Sequence, residues 1–75
     1  MKIELINGWI FPPTEVSDIH TIKLETLIDF YMDVKSVQFR HTGGIRGSWQ
    51  FKNKAEATEA IILLQDVIRG LRNEI

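Results

Sequence analysis

Arg40-His41-Thr42-Gly43-Gly44-Ile45-Arg46-Gly47-Ser48-Trp49 is the stretch of this chain whose residue types could do chemistry. Its glycines let backbone N–H groups come close to a ligand, and successive N–H groups in a turn form a concavity that holds an anion. Arg40, His41 and Arg46 would add charge or hydrogen bonds around Gly43 and Gly44, Trp49 would offer a stacking plane, and Lys52 would extend the basic strip. The chemistry expected is therefore binding, of a phosphate, a nucleotide or single-stranded nucleic acid. The glycine spacing matches neither the P-loop nor the dinucleotide fingerprint, and no strand-to-helix transition follows it. The competing reading is a hairpin loop with solvated arginines and with Trp49 turned into the core.

Catalytic constellations are harder to assemble. Asp29 and Asp33 would share the polar side of a strand with Tyr31 between them, which sets their Cα atoms about 13 Å apart, too far for two carboxylates to perturb each other. Neither His20 nor His41 has a nucleophile and a carboxylate nearby in sequence. The two histidines also stand too far apart for a local ligand pair, and the chain has no cysteine to supply a thiolate. Enzyme activity, a metal site and a cofactor are not expected.

Composition narrows the remaining classes. Nine Lys and Arg against ten Asp and Glu leave a formal charge of −1, so no global field steers the chain to nucleic acid or to an anionic membrane. The opening residues Met1-Lys2-Ile3-Glu4 carry an acid inside the first apolar run, unlike a signal peptide, and no apolar run approaches membrane length. The absence of cysteine fits a reducing compartment, and a cytoplasmic setting is expected. Residues 1–75 read as a single compact domain. A chain this short buries only about 60–65% of its unfolded-state surface. Dimerisation is then the readiest source of further buried area.

Among the elements that must position these residues, the run Asn53–Ile75 organises the rest. Asn53 is a good helix N-cap and Glu56 stands at the capping-box position, so a helix is expected from Lys54. Ala57, Ala60, Ile61, Leu64, Val67, Ile68 and Leu71 recur at spacings of three and four and form one core-facing stripe. Gly70 is expected to fray the last turn. Ile62 projects roughly opposite that stripe and Leu63 borders it. Ile62 is then either a tolerated surface residue or, with Leu63, part of an interface with a partner. Trp9 and Phe11 are further candidate anchors, because aromatic side chains dominate binding hot spots.

Upstream the period is two. Lys2–Ile6 alternates, and Asn7-Gly8 either turns it back into Trp9-Ile10-Phe11 as a hairpin or bulges a single strand. Pro12 to Asp18, including Ser17, reads as a surface connection. Ile19–Glu25 and Ile28–Lys35 read as strands joined by a turn near Thr26-Leu27, although Leu24, Leu27, Ile28 and Tyr31 also fit a helical stripe. A bulge or tight turn at Lys35-Ser36 restores the phase. Val37–Arg40 and Ser48–Lys52 form a hairpin closed by His41–Gly47, with Phe39 expected opposite Trp49 and Val37 opposite Phe51. The fold expected is α+β: an antiparallel sheet of four or five strands with one C-terminal amphipathic helix on its apolar face. The element order resembles that of a shortened pleckstrin-homology-like module, and no motif accompanies the likeness. Function is expected to be that of a small protein-interaction module, a regulator or inhibitor working as a homodimer, with the Arg/Gly-rich hairpin 40–52 as the alternative, a nucleotide or nucleic-acid site.

Overall fold

A computed structural model describes residues 1–16 and 20–73, with the backbone alone for 71–73. The element order is β1 (Glu4–Ile6), β2 (Trp9–Phe11), β3 (Ile22–Lys23), β4 (Leu27–Asp33), β5 (Ser36–His41), β6 (Arg46–Gln50) and α1 (Lys54–Asn73). The class is α+β, but the six strands form two antiparallel three-stranded sheets, β1-β2-β3 and β4-β5-β6, where one sheet of four or five strands was expected. The expected strand over Ile19–Glu25 contracts, among the described residues, to Ile22–Lys23; Ser17, Asp18 and Ile19 lie outside them.

The division arises between Lys23 and Leu27. There the chain takes one 3-10 turn, Leu24–Thr26, in which the Leu27 N–H donates to the Leu24 carbonyl. Leu24 N–H donates to the Gly8 carbonyl at 2.9 Å, which ties β3 to the β1–β2 hairpin and away from β4. That hairpin turns on Asn7 (φ 52°) and Gly8 (φ 82°), the paired positive φ values of a type I′ two-residue turn, so the hairpin reading holds and the bulge does not.

In the β5–β6 hairpin each face is as expected but the register is not; on β4 the alternation expected for Ile28, Phe30, Met32 and Val34 holds for Phe30 and Met32 alone, since Ile28 falls in a register shift and Val34 in the turn. Val37 pairs with Trp49 and Phe39 with Gly47, two residues from the expected pairing. The loop is shorter than expected, with His41 N–H donating to the Ile45 carbonyl at 2.8 Å, and an even displacement leaves every side chain on its own face. Phe39 and Trp49 still meet diagonally, edge to face at 4.7 Å between ring centroids. Phe51 follows β6, where its N–H donates to the Lys35 carbonyl. The turn expected near Lys35-Ser36 is the two-residue turn Val34-Lys35.

The inner face of β4-β5-β6 carries the core. Val37, Phe39 and Trp49 are fully buried there, and Ala57, Ala60 and Leu64 of α1 close over them, the two alanines allowing close approach. The first sheet completes the cover with Ile10 and Ile22; Ile22 Cδ1 lies 3.5 Å from where a Cβ on Gly47 would stand. Trp49 Nε1–H donates to the His20 carbonyl at 2.7 Å, which satisfies the indole's one donor inside the core. Asn53 caps α1, its Oδ1 accepting the Glu56 N–H at 2.9 Å, while Glu56 Oε1 accepts the Lys52 N–H at 3.2 Å. The helix continues through Gly70 to Asn73, and the expected core position of Leu71 lies outside the described side chains.

Candidate functional site

The residues of the glycine loop do not converge on one ligand. Two-residue periodicity places Trp49 on the inner face and Arg40 on the outer face. Trp49 has 0% exposure and offers no stacking plane. His41, next after Arg40, also turns inward: it is buried, with Nδ1 hydrogen-bonded to Thr26 Oγ1 at 2.9 Å. Lys52 is exposed beyond β6, at the entrance to α1. What remains is a hollow of about 250 Å³ bordered by Arg40, Gly43, Gly44, Ile45, Arg46 and Ile28, together with an edge of His41. Gly43 (φ 80°) and Gly44 (φ 79°) shape its rim in a conformation that side chains resist.

Charge in that hollow is partly used. Arg40 forks onto Asp29, Nε–H to Oδ1 at 2.7 Å and Nη2–H to Oδ2, because Asp29 and Arg40 are register partners on the outer face. The Arg40 hydrogen bonds hold the Asp29 carboxyl below the ordinary carboxylate range and raise the guanidinium's own pKa. Arg46 stands opposite Arg40 on the next strand, a like-charged pair that an anion would relieve. Asp33 shares the outer face with Asp29 and Tyr31, as expected, and pairs with Ser36.

The apolar candidates occupy two places. Trp9 (41% exposed) and Phe11 alternate outward on β2, and Ile6 is the register partner of Trp9, so the three share the outer face of the first sheet. Lys23 Nζ sits 6.0 Å from the Trp9 ring centroid, at the limit of a cation–π contact. Ile62 is 53% exposed, whereas Leu63 is half-buried and packs on the core cluster.

Ile62 does not stand alone on its side of the helix. Thr58, Ile62, Gln65 and Arg69 recur at four, three and four residues and form one line along α1. Thr58 Oγ1 lies 3.5 Å from Met32 Sδ, and Gln65 and Arg69 border a groove of about 350 Å³ with Phe30 and Ile68. That line therefore overhangs β4. Strand β4 is the end strand of its sheet, with β5 on one side and, among the described residues, no strand on the other. Ile28, Tyr31 and Met32 on this strand, and Val34 just beyond it, are exposed as well, a concentration that sequence periodicity does not reveal because it reports faces and not edges.

The sequence matches no protein-family model, and neither the curated proteins nor the solved structures contain a match. Among the described residues no helix is long and apolar enough to cross a membrane, and no three His, Asp or Glu side chains gather as a metal cluster.

Proposed function

We propose that this protein is a non-enzymatic interaction module, a regulator or inhibitor that works as a homodimer and acts by occupying a surface of another macromolecule. The observation that carries the reading is Ile62, a large apolar residue half-exposed on the line of α1 that overhangs β4. Its position extends an apolar margin that includes Met32 and Phe30. Trp9, Phe11 and Ile6 supply a second apolar surface on the first sheet, of the aromatic kind that anchors a partner. Lack of cysteine supports a reducing, cytoplasmic setting. The test is solution mass by light scattering across a concentration series, wild type against Ile62→Glu. A wild-type dimer that the substitution splits supports the reading; a wild-type monomer at every concentration removes the homodimer from it.

A second reading rests on the Arg40–Arg46 pair beside Gly43 and Gly44. A nucleotide phosphate or a single-stranded nucleic acid would relieve the repulsion there. Binding of an oligonucleotide that weakens steeply with added salt supports it, and binding absent at low salt removes the polymer version.

A further inference from the structure

We infer that the partner seated on the free edge of β4 is a second copy of β4, running antiparallel about a two-fold axis through Phe30, so that two three-stranded sheets become one of six. The inference rests on the homodimeric reading above and specifies its geometry.

An end strand presents unpaired N–H and C=O groups that another strand can complete, unless proline, lysine, shortness or a bulge prevents it. β4 is seven residues long, without Pro or Lys. Its register shift falls between Leu27 and Asp29 and leaves Asp29 to Asp33 regular. Pairing Leu27–Asp33 with itself along its whole length allows one register: Leu27 opposite Asp33, Ile28 opposite Met32, Asp29 opposite Tyr31 and Phe30 opposite Phe30. No like charges meet in it. Sliding by two residues, the smallest step that keeps every side chain on its face, sets Asp29 against Asp33 in one direction and against the second copy's Asp29 in the other.

The two faces of the joined sheet also match. On the outer face Arg46, Arg40 and Asp29 already form one cross-strand row, as do Tyr31, Gln38 and Ser48. The proposed register joins them end to end, with the second copy's Tyr31 hydroxyl beside the Asp29 carboxylate that Arg40 holds. On the inner face Phe30 packs on Phe39, ring centroids 6.2 Å apart, and the groove of about 350 Å³ between Phe30 and the helix residues Gln65, Ile68 and Arg69 lies along the free edge. The second copy's Phe30 arrives at that groove, under Ile62. Two-fold symmetry fills both grooves at once.

Tyr31 provides the discriminating test, because it is 44% exposed on the outer face, the sheet surface turned away from α1. Tyr31→Asp puts a carboxylate opposite Asp29 twice per dimer, and its dimer dissociation constant, measured by sedimentation or light scattering, is expected to rise about tenfold or more. Tyr31→Lys, which sets a cation there, is expected to hold or tighten the dimer. As a register check, Asp29→Cys mixed with Tyr31→Cys should give a disulfide-linked pair under mild oxidation faster than either variant alone, in a chain with no cysteine of its own. A dimer split by Ile62→Glu but indifferent to both Tyr31 variants overturns the strand pairing and leaves the homodimeric module standing. Wild type that stays monomeric into the millimolar range overturns both.

Discussion

Val34 is the residue most at odds with its own backbone. It has φ +54°, and positive φ in a β-branched residue is a genuine outlier, because the branched Cβ crowds the following carbonyl oxygen. The left-handed conformation costs an L-residue about 1–2 kcal/mol. Here the turn imposes it: Val34 and Lys35 are the two residues between the paired Asp33 and Ser36. Ser36 Oγ–H donates to the Asp33 carbonyl at 2.9 Å and Phe51 N–H to the Lys35 carbonyl at 3.0 Å, holding the corner shut from both sides. The side chain is 74% exposed, so its removal forfeits little packing. Val34→Gly removes the steric cost and adds about 0.5–1 kcal/mol of unfolded-state entropy to be lost on folding, for a net stabilisation of about 0.5–1 kcal/mol. For a domain of this size that is a rise in melting temperature of about 2–8 °C. Thermal melts of wild type, Val34→Gly and Val34→Ala, each at several concentrations because the proposed dimer would make the midpoint concentration-dependent, would measure it. Val34→Ala keeps the Cβ and should gain less. A Val34→Gly midpoint equal to or below that of wild type at the lowest concentration would refute the strain argument, since no folded-state contact large enough to offset it is present at that exposure.

Two further outcomes follow from the local geometry. Asn53→Ala removes the acceptor for the Glu56 N–H and is expected to cost about 0.5–2 kcal/mol in urea denaturation, with the loss absent in Asn53→Asp, which keeps the cap. The Asp29 carboxyl, followed by carboxyl-carbon NMR, should titrate below its ordinary value of 3.8 in wild type and return toward it in Arg40→Ala. Because the folded pKa is the lower one, the pair's contribution is complete above the unfolded value and disappears as pH falls through the folded one. Unchanged titration in Arg40→Ala would show that the fork is not held in solution.

Local chemistry was legible wherever one or two residues decide it. Asn7-Gly8 made a hairpin because both positions accept positive φ, and Asn53 with Glu56 marked the start of α1 to the residue. Alternation assigned Val37, Phe39 and Trp49 to the core face and Gln38, Arg40 and Ser48 to the other, yet it could not set the register, since displacement by two residues leaves alternation untouched. The division into two sheets depends on Leu24 N–H meeting the Gly8 carbonyl, sixteen residues earlier, a contact that no window of periodicity contains. The Asp29–Arg40 fork was hidden for a related reason: both residues belong to polar faces, but their pairing follows from the two-residue Val34-Lys35 turn, which sets the register from Asp33 opposite Ser36 through to Asp29 opposite Arg40. His41 read as a loop ligand because its neighbours are glycine and arginine; its place as the last residue of β5 turns it inward to Thr26.

Ile62 changes meaning once its position is known. On a helical projection it is a lone apolar residue among Thr58, Gln65 and Arg69, and single surface residues of that kind are common enough to imply nothing. In the fold the same line lies over the end strand of a sheet, beside Met32 and the groove at Phe30, and Ile62 is 53% exposed there. The features that could seal such an edge are present only at its two extremities, the register shift beside Ile28 and the turn after Asp33, so the exposed window is short and self-complementary. A short window gives few hydrogen bonds, so the proposed interface would be small and would exchange readily with monomer. Ready exchange would suit the proposed regulator, because an edge that closed on a second copy would be released, as concentration falls, to pair with an extended segment of another protein.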